Sequence, residues 1–167
     1  MKQSPQQLDG TALHAVFIEQ MSILYNAKVS LTNYLPQLIE QATFKNLKEA
    51  LQEDLDETQQ QMSAVKAVFD LLHESWLTNP CLAINAMIEE AHQQVTFKKD
   101  KHFESDMSIL YYMSIVENLQ AGACNILHLL ASKMAYHPYE QLIAECLDVV
   151  KENSSLFYYV TKEYLLN

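Results

Sequence analysis

The chain has 167 residues and a formal net charge of -10, from 11 basic and 21 acidic residues. Apolar residues make up 49% and charged residues 19%, which is enough to fill a core and excludes a disordered chain. With so acidic a balance there is no broad basic surface for a nucleic-acid backbone or an anionic membrane, so neither is expected as a partner.

The first apolar periodicity begins near Thr11. Leu13, Phe17, Gln20, Leu24, Lys28, Leu31 and Leu35 follow at steps of three and four, which sets them on one side of a helix. Asp9 or Thr11 is suited to cap its start. Pro36 removes an internal donor and should bend the helix, which continues through Leu38 and Ile39. Thr43 and Asn46 mark a turn. A second stripe, Leu47, Leu51, Asp54/Leu55, Thr58, Met62, Val65, Phe69 and Leu72, predicts a helix far longer than average, with Trp76 over its end.

Thr78-Asn79-Pro80 reads as a stop followed by a start. Cys81, Ile84, Met87, Ile88 and Ala91 then form a shorter apolar face. Residues 96–105 are the most charged and least periodic stretch, and read as a connection across one end. A further long helix is predicted from Asp106, with Ile109, Met113, Val116, Gln120, Ala123, Leu127 and Leu130 inward. Tyr136, His137 and Pro138 interrupt it. The last helix should turn Leu142, Cys146, Val149, Asn153, Leu156 and Tyr159/Val160 inward. Each tyrosine pair, Tyr111–Tyr112 and Tyr158–Tyr159, should place one ring inward and one outward. Four long helices and a short one, joined by short links, specify an all-α antiparallel four-helix bundle. Residues 1–167 read as a single domain.

The N-terminal segment MKQSPQQLDG lacks the apolar stretch of a signal peptide, and no apolar run is long enough to span a bilayer. Cys81, Cys124 and Cys146 match neither a zinc pattern nor a disulfide framework. A cytoplasmic protein with reduced thiols is the expectation.

Polar residues on inward faces carry the chemistry. Lys28 shares its stripe with Leu24, Leu31 and Leu35. Asp54 and Glu57 can face one way from the second helix. Glu117 sits beside Val116 and Met113, and Glu145 comes from the last helix, with Asp148 and Glu152 as further contributors. Bundles build di-iron centres from such carboxylates, with Glu-x-x-His on two of the helices. Glu-x-x-His occurs once in this chain, from Glu89 to His92 beside the shorter apolar face, and on none of the long helices. Asp54, Glu57, Glu117 and Glu145 are therefore candidates for a vestigial metal site. An ammonium at Lys28 repels a cation and is instead the candidate for an internal ion pair with Glu57 and Glu117, the alternative being that it snorkels to solvent at the bundle edge.

Five segments in order resemble the bacterial, stress-associated ferritin-like family known as domain of unknown function 892. They are FIEQMSILYNAKVSLTNYLPQL (17–38), LKEALQEDLDETQQQMSAVKAVF (47–69), CLAINAMIEEA (81–91), DMSILYYMSIVENLQAGAC (106–124) and LIAECLDVVKE (142–152). The resemblance implies a ferritin-like four-helix bundle with one additional short helix. Glu57, Thr58, Glu117 and Glu145 match the family pattern. Its other acidic and histidine positions fall on Gln20, Lys28, Asp54, Asn118, Gln120, Val149 and Val150. This implies a lost or incomplete di-iron site and a non-catalytic structural or stress-related protein without a cofactor. The alternative is an iron-binding, oxidase- or peroxidase-like protein with an altered ligand set. The resemblance and the outward aromatics also imply a homodimer.

Overall fold

In a computed structural model of the protein, the Asp9 carboxylate accepts the Thr11 N–H at 2.9 Å and opens α1 (Gly10–Gln41). This is the N-cap arrangement that satisfies an otherwise orphaned donor of the first turn. Residues 9–78, 80–98, 100–135 and 137–166 are described. After α1 come α2 (Lys45–Leu72), α3 (Leu82–Phe97), α4 (His102–Lys133) and α5 (His137–Leu166), with no strand among the described residues. The first helix runs through Pro36 to Gln41. The second ends at His73, whose φ of 55° is the left-handed conformation that stops a helix.

The direction of each helix follows from contacts at the two ends. At one end the α1–α2 turn meets the start of α4 and the end of α5. Thr43 N–H and Phe44 N–H both donate to the Asp106 carboxylate at 2.9 Å, and the Tyr164 hydroxyl donates to it at 3.0 Å. At the other end His14 of α1 lies 2.9 Å from Glu74, just past α2, and the Tyr139 hydroxyl of α5 reaches the Leu71 carbonyl at 3.5 Å. With packing between α1 and α2, α2 and α5, α5 and α4, and α4 and α1, every neighbouring pair of long helices runs antiparallel. Helix α3 lies outside against α1 and α4 and carries the chain back along the bundle. Two hairpins joined by one long return are the ferritin-like connection.

The core falls into two apolar halves. Leu31, Leu35, Leu51, Ile109, Met113 and Phe157 lie in one, and Phe17, Met21, Val65, Phe69, Leu127 and Leu147 in the other. Between them is a buried polar layer, described below. Trp76 covers the second half as expected, with its ring centroid 4.8 Å from that of Tyr25 and 6.2 Å from that of Phe69.

Several expectations need correction. Helix α4 starts at His102, not Asp106, because the Lys101 carbonyl already accepts the Ser105 N–H. Most of the stretch 96–105 is therefore helical. In α5 the deepest residues are Ile143, Cys146, Leu147, Val150, Asn153, Phe157 and Val160, whereas Leu142, Val149 and Leu156 are only half-buried. Tyr158 and Tyr159 are both exposed, so neither ring of that pair enters the core. Gln20 is exposed as well. Asn79 of the stop signal and Tyr136 of the last interruption lie outside the described residues, as do residues 1–8.

Candidate functional site

Lys28 has no exposed surface. Its position on the apolar stripe of α1 directs the side chain into the middle of the bundle, where its Nζ donates to Gln61 Oε1 of α2 and to Gln120 Oε1 of α4, the latter at 2.7 Å. Gln120 relays the interaction: its Nε2 donates to Glu117 Oε1 at 2.8 Å. On the α2 side, Asp54 Oδ1 accepts from Asn153 Nδ2 of α5 at 3.0 Å and from the Thr58 hydroxyl at 3.5 Å. All four long helices thus contribute to one polar layer. The expected direct pair between Lys28 and Glu57 or Glu117 is not what forms. Amide oxygens take the ammonium's hydrogen bonds, and the carboxylates that act on it are Asp54 and Glu117.

The electrostatics follow from burial. Asp54 is fully buried, and loss of water pushes its carboxyl up to about 7, against the pull of Lys28 and the hydrogen bonds from Thr58 and Asn153. Glu117 is raised well above the usual carboxylate range, first by burial and then by the nearby Asp54 charge, with Lys28 opposing. Asp54 Oδ2 and Glu57 Oε2 are buried without a hydrogen-bond partner among the described residues. Raising both carboxyls limits the negative charge that the layer holds beside Lys28, which a low-dielectric interior tolerates better than two full carboxylates.

Two of the four sequence-derived metal candidates, Asp54 and Glu117, come together in this layer. Glu57 is half-buried at its edge, and burial followed by the charges of Glu53 and Glu152 raises its carboxyl. Glu145 stays on the exposed face of α5, where the Gln141 amide donates to it at 3.1 Å. These residues do not fit a carboxylate-bridged metal pair. The centre is held by an ammonium bonded to amide oxygens, and no group of three or more His, Cys, Asp or Glu residues among those described is arranged to hold a metal.

With the layer and the bundle around it defined, the chain can be set beside known proteins. Its sequence matches the family described as domain of unknown function (DUF892) over residues 12–157. The chain belongs to this family. The match agrees with the five ordered segments that suggested it. Among solved structures, this DUF892 member is similar to the E. coli stress protein YciF. The two share 23% identity and a TM-score of 0.88, over 93% of this chain and 98% of that one. It is also similar to YcfI of Rhodopseudomonas palustris, to which a structural role is attributed. Here the identity is 22% and the TM-score 0.82, over 95% of this chain and 97% of that one. Both likenesses concern the fold. No curated protein matches the DUF892 chain in sequence.

Two buried polar residues of this DUF892 bundle escaped the sequence reading. Gln61 sits in the run Gln59-Gln60-Gln61, which reads as a solvated face, yet it lies seven residues after Asp54 and three after Thr58 and so shares their side of α2. Asp106 lies in a charged stretch but is fully buried and also accepts from the Thr43 hydroxyl at 2.6 Å. Two of the thiols offer little reactivity: burial pushes Cys124 up to about 11 and raises Cys146 as well.

Proposed function

We propose that this DUF892 member is a non-catalytic, cytoplasmic bundle with a structural or stress-related role, in which a resident ammonium does the work that a metal cation does elsewhere. The observation that carries the reading is Lys28, buried at the centre and bonded to Gln61 and Gln120. A metal pair holds clustered carboxylates together by its positive charge. Here the positive charge is covalently part of α1 and needs no loading. The names of the two similar structures, a stress protein and a structural protein, supply the class of role.

The reading is tested by expressing the chain with added iron, purifying it without chelator and measuring metal content. The expected result is far below the two irons per chain of a di-iron centre. Stoichiometric iron that survives dialysis, with the spectrum of coupled ferric ions, would overturn it in favour of the oxidase-like alternative.

A further inference from the structure

At the end of the bundle where α1 stops and α4 starts, a cavity of about 500 Å³ opens beside the α1–α2 turn. Its volume is that of a small-molecule site. Glu40 and Gln41 of the last turn of α1 line one part of it, and His102 and Ser105 of the opening turn of α4 another. Lys48 of α2 completes the polar lining. Opposite charges stand here without meeting. Neither Glu40 nor Lys48 has an ion-pair partner among the described residues, whereas Lys45 and Glu49 on the outside of α2 pair at 3.3 Å.

Two further groups on this cavity are left open. Ser105 is only 3% exposed, and its hydroxyl has no hydrogen bond among the described residues. Other helical serines give that proton to the carbonyl one turn back: Ser22 to Ile18 at 2.7 Å, and Ser108 to Glu104 and Ser114 to Leu110 at 2.8 Å. Gln41 Oε1 is buried and also has no partner among the described residues. A buried donor and a buried acceptor without partners destabilise the fold, and a ligand that supplies both removes the penalty. We propose that this cavity binds a small zwitterion of the amino-acid kind, with its carboxylate toward Ser105 and Lys48 and its primary ammonium toward Glu40 and Gln41.

The helix ends set that orientation. A helix carries partial positive charge at its N-terminus and partial negative charge at its C-terminus. Helix α4 meets the cavity by its N-terminus, where no side-chain cap bonds the first turn, and α1 by its C-terminus, where the last turn has no basic residue. An anion alone would face Glu40 and the end of α1. A cation alone would face Lys48 and the start of α4. A ligand with both charges matches both walls. Asp106 does not line the cavity, and Thr43, Phe44 and Tyr164 already bond its oxygens. The ammonium must carry N–H groups, because Gln41 Oε1 accepts and cannot donate. Rotation of the terminal amide, a soft torsion, brings that oxygen onto the ligand.

The test is a titration of the isotope-labelled full chain with L-alanine, followed through its amide shifts by two-dimensional NMR. Shifts should concentrate at Gln41, Thr43, His102 and Ser105 and saturate with a Kd on the order of 1 mM. Glycine betaine has both charges but no N–H, while acetate and methylammonium have one charge each. All three should bind at least about 10-fold more weakly. Ser105→Ala, Lys48→Gln and Glu40→Gln should each weaken L-alanine binding about 10-fold without changing helicity. Glu53→Gln, in a separate groove between α2 and α5, should leave it as it was. The absence of saturable shifts up to about 50 mM L-alanine would overturn the proposal. It would be overturned equally by acetate binding as well as L-alanine, which would make this a simple anion site, or by undiminished binding in Ser105→Ala.

Discussion

Replacing Lys28 by methionine removes the buried charge while keeping most of the side-chain volume. In the wild type Lys28 pulls the Asp54 and Glu117 carboxyls down against the burial that raises them. Without it, the Asp54 carboxyl, at about 7 in the wild type, rises further. Gln61 and Gln120 lose the donor to their Oε1 atoms, and each buried oxygen left unsatisfied costs about 1–3 kcal/mol. A loss of about 2–5 kcal/mol is therefore expected at pH 6, where the folded wild type still keeps most of the Asp54 proton. Above pH 7 the wild type releases that proton and the variant holds it, so the deficit should grow by up to about 1.4 kcal/mol per unit. Urea denaturation of both proteins at pH 6 and pH 8, with midpoints and slopes compared, measures this. A deficit below about 1 kcal/mol at pH 6, or one that is equal at both pH values, would refute the account of Lys28 as a bonded charge within the layer.

Asp54 itself makes stability depend on pH. Its folded value, about 7, lies above the ordinary 3.8, so the folded state keeps a proton that the unfolded chain has lost. That contribution is fully present below pH 3.8 and fades as pH rises through about 7. The wild type should accordingly be more stable at pH 5 than at pH 7, with a slope from this group of up to about 1.4 kcal/mol per unit. Asp54→Asn should flatten that slope in urea midpoints, and an unchanged slope would assign the dependence to other groups. At the end of the bundle, Asp106→Ala should cost about 3–5 kcal/mol by removing the acceptor of Thr43, Phe44 and Tyr164. Hydrogen exchange should then accelerate at the Thr43 and Phe44 amides, and unchanged protection there would show that Asp106 does not hold the turn.

The long apolar stripes of α1 and α2, with Asp9 before the first, made those helices legible from local spacing alone. The start of α4 was hidden because its first turn is polar and what fixes it, the Asp106 clamp on the α1–α2 turn, joins residues more than sixty positions apart. In α5 two adjacent apolar rows compete. Leu142, Val149 and Leu156 sit one residue before Ile143, Val150 and Phe157, and only the packing of α2 and α4 decides which row turns inward. Lys28 was conspicuous as a charge within an apolar stripe. Its partners were not, because the choice of Gln61 and Gln120 over Glu57 depends on the relative heights of three helices, which no single-helix periodicity contains.

The polar layer also fixes how the rods line up lengthwise. Apolar side chains at every third or fourth position interchange readily, so a bundle held only by leucine-like seams can slide a helix by one turn at modest cost. A one-turn slip of α1 would move the ammonium by about 5.4 Å and bring Leu24 or Leu31 to the level of Gln61 and Gln120. Both amide oxygens and the carboxylates behind them would then face hydrocarbon. Lys28, Asp54, Gln61, Gln120 and Asn153 thus act as a key cut at mid-height through the four long helices, accepting one vertical alignment and rejecting its neighbours.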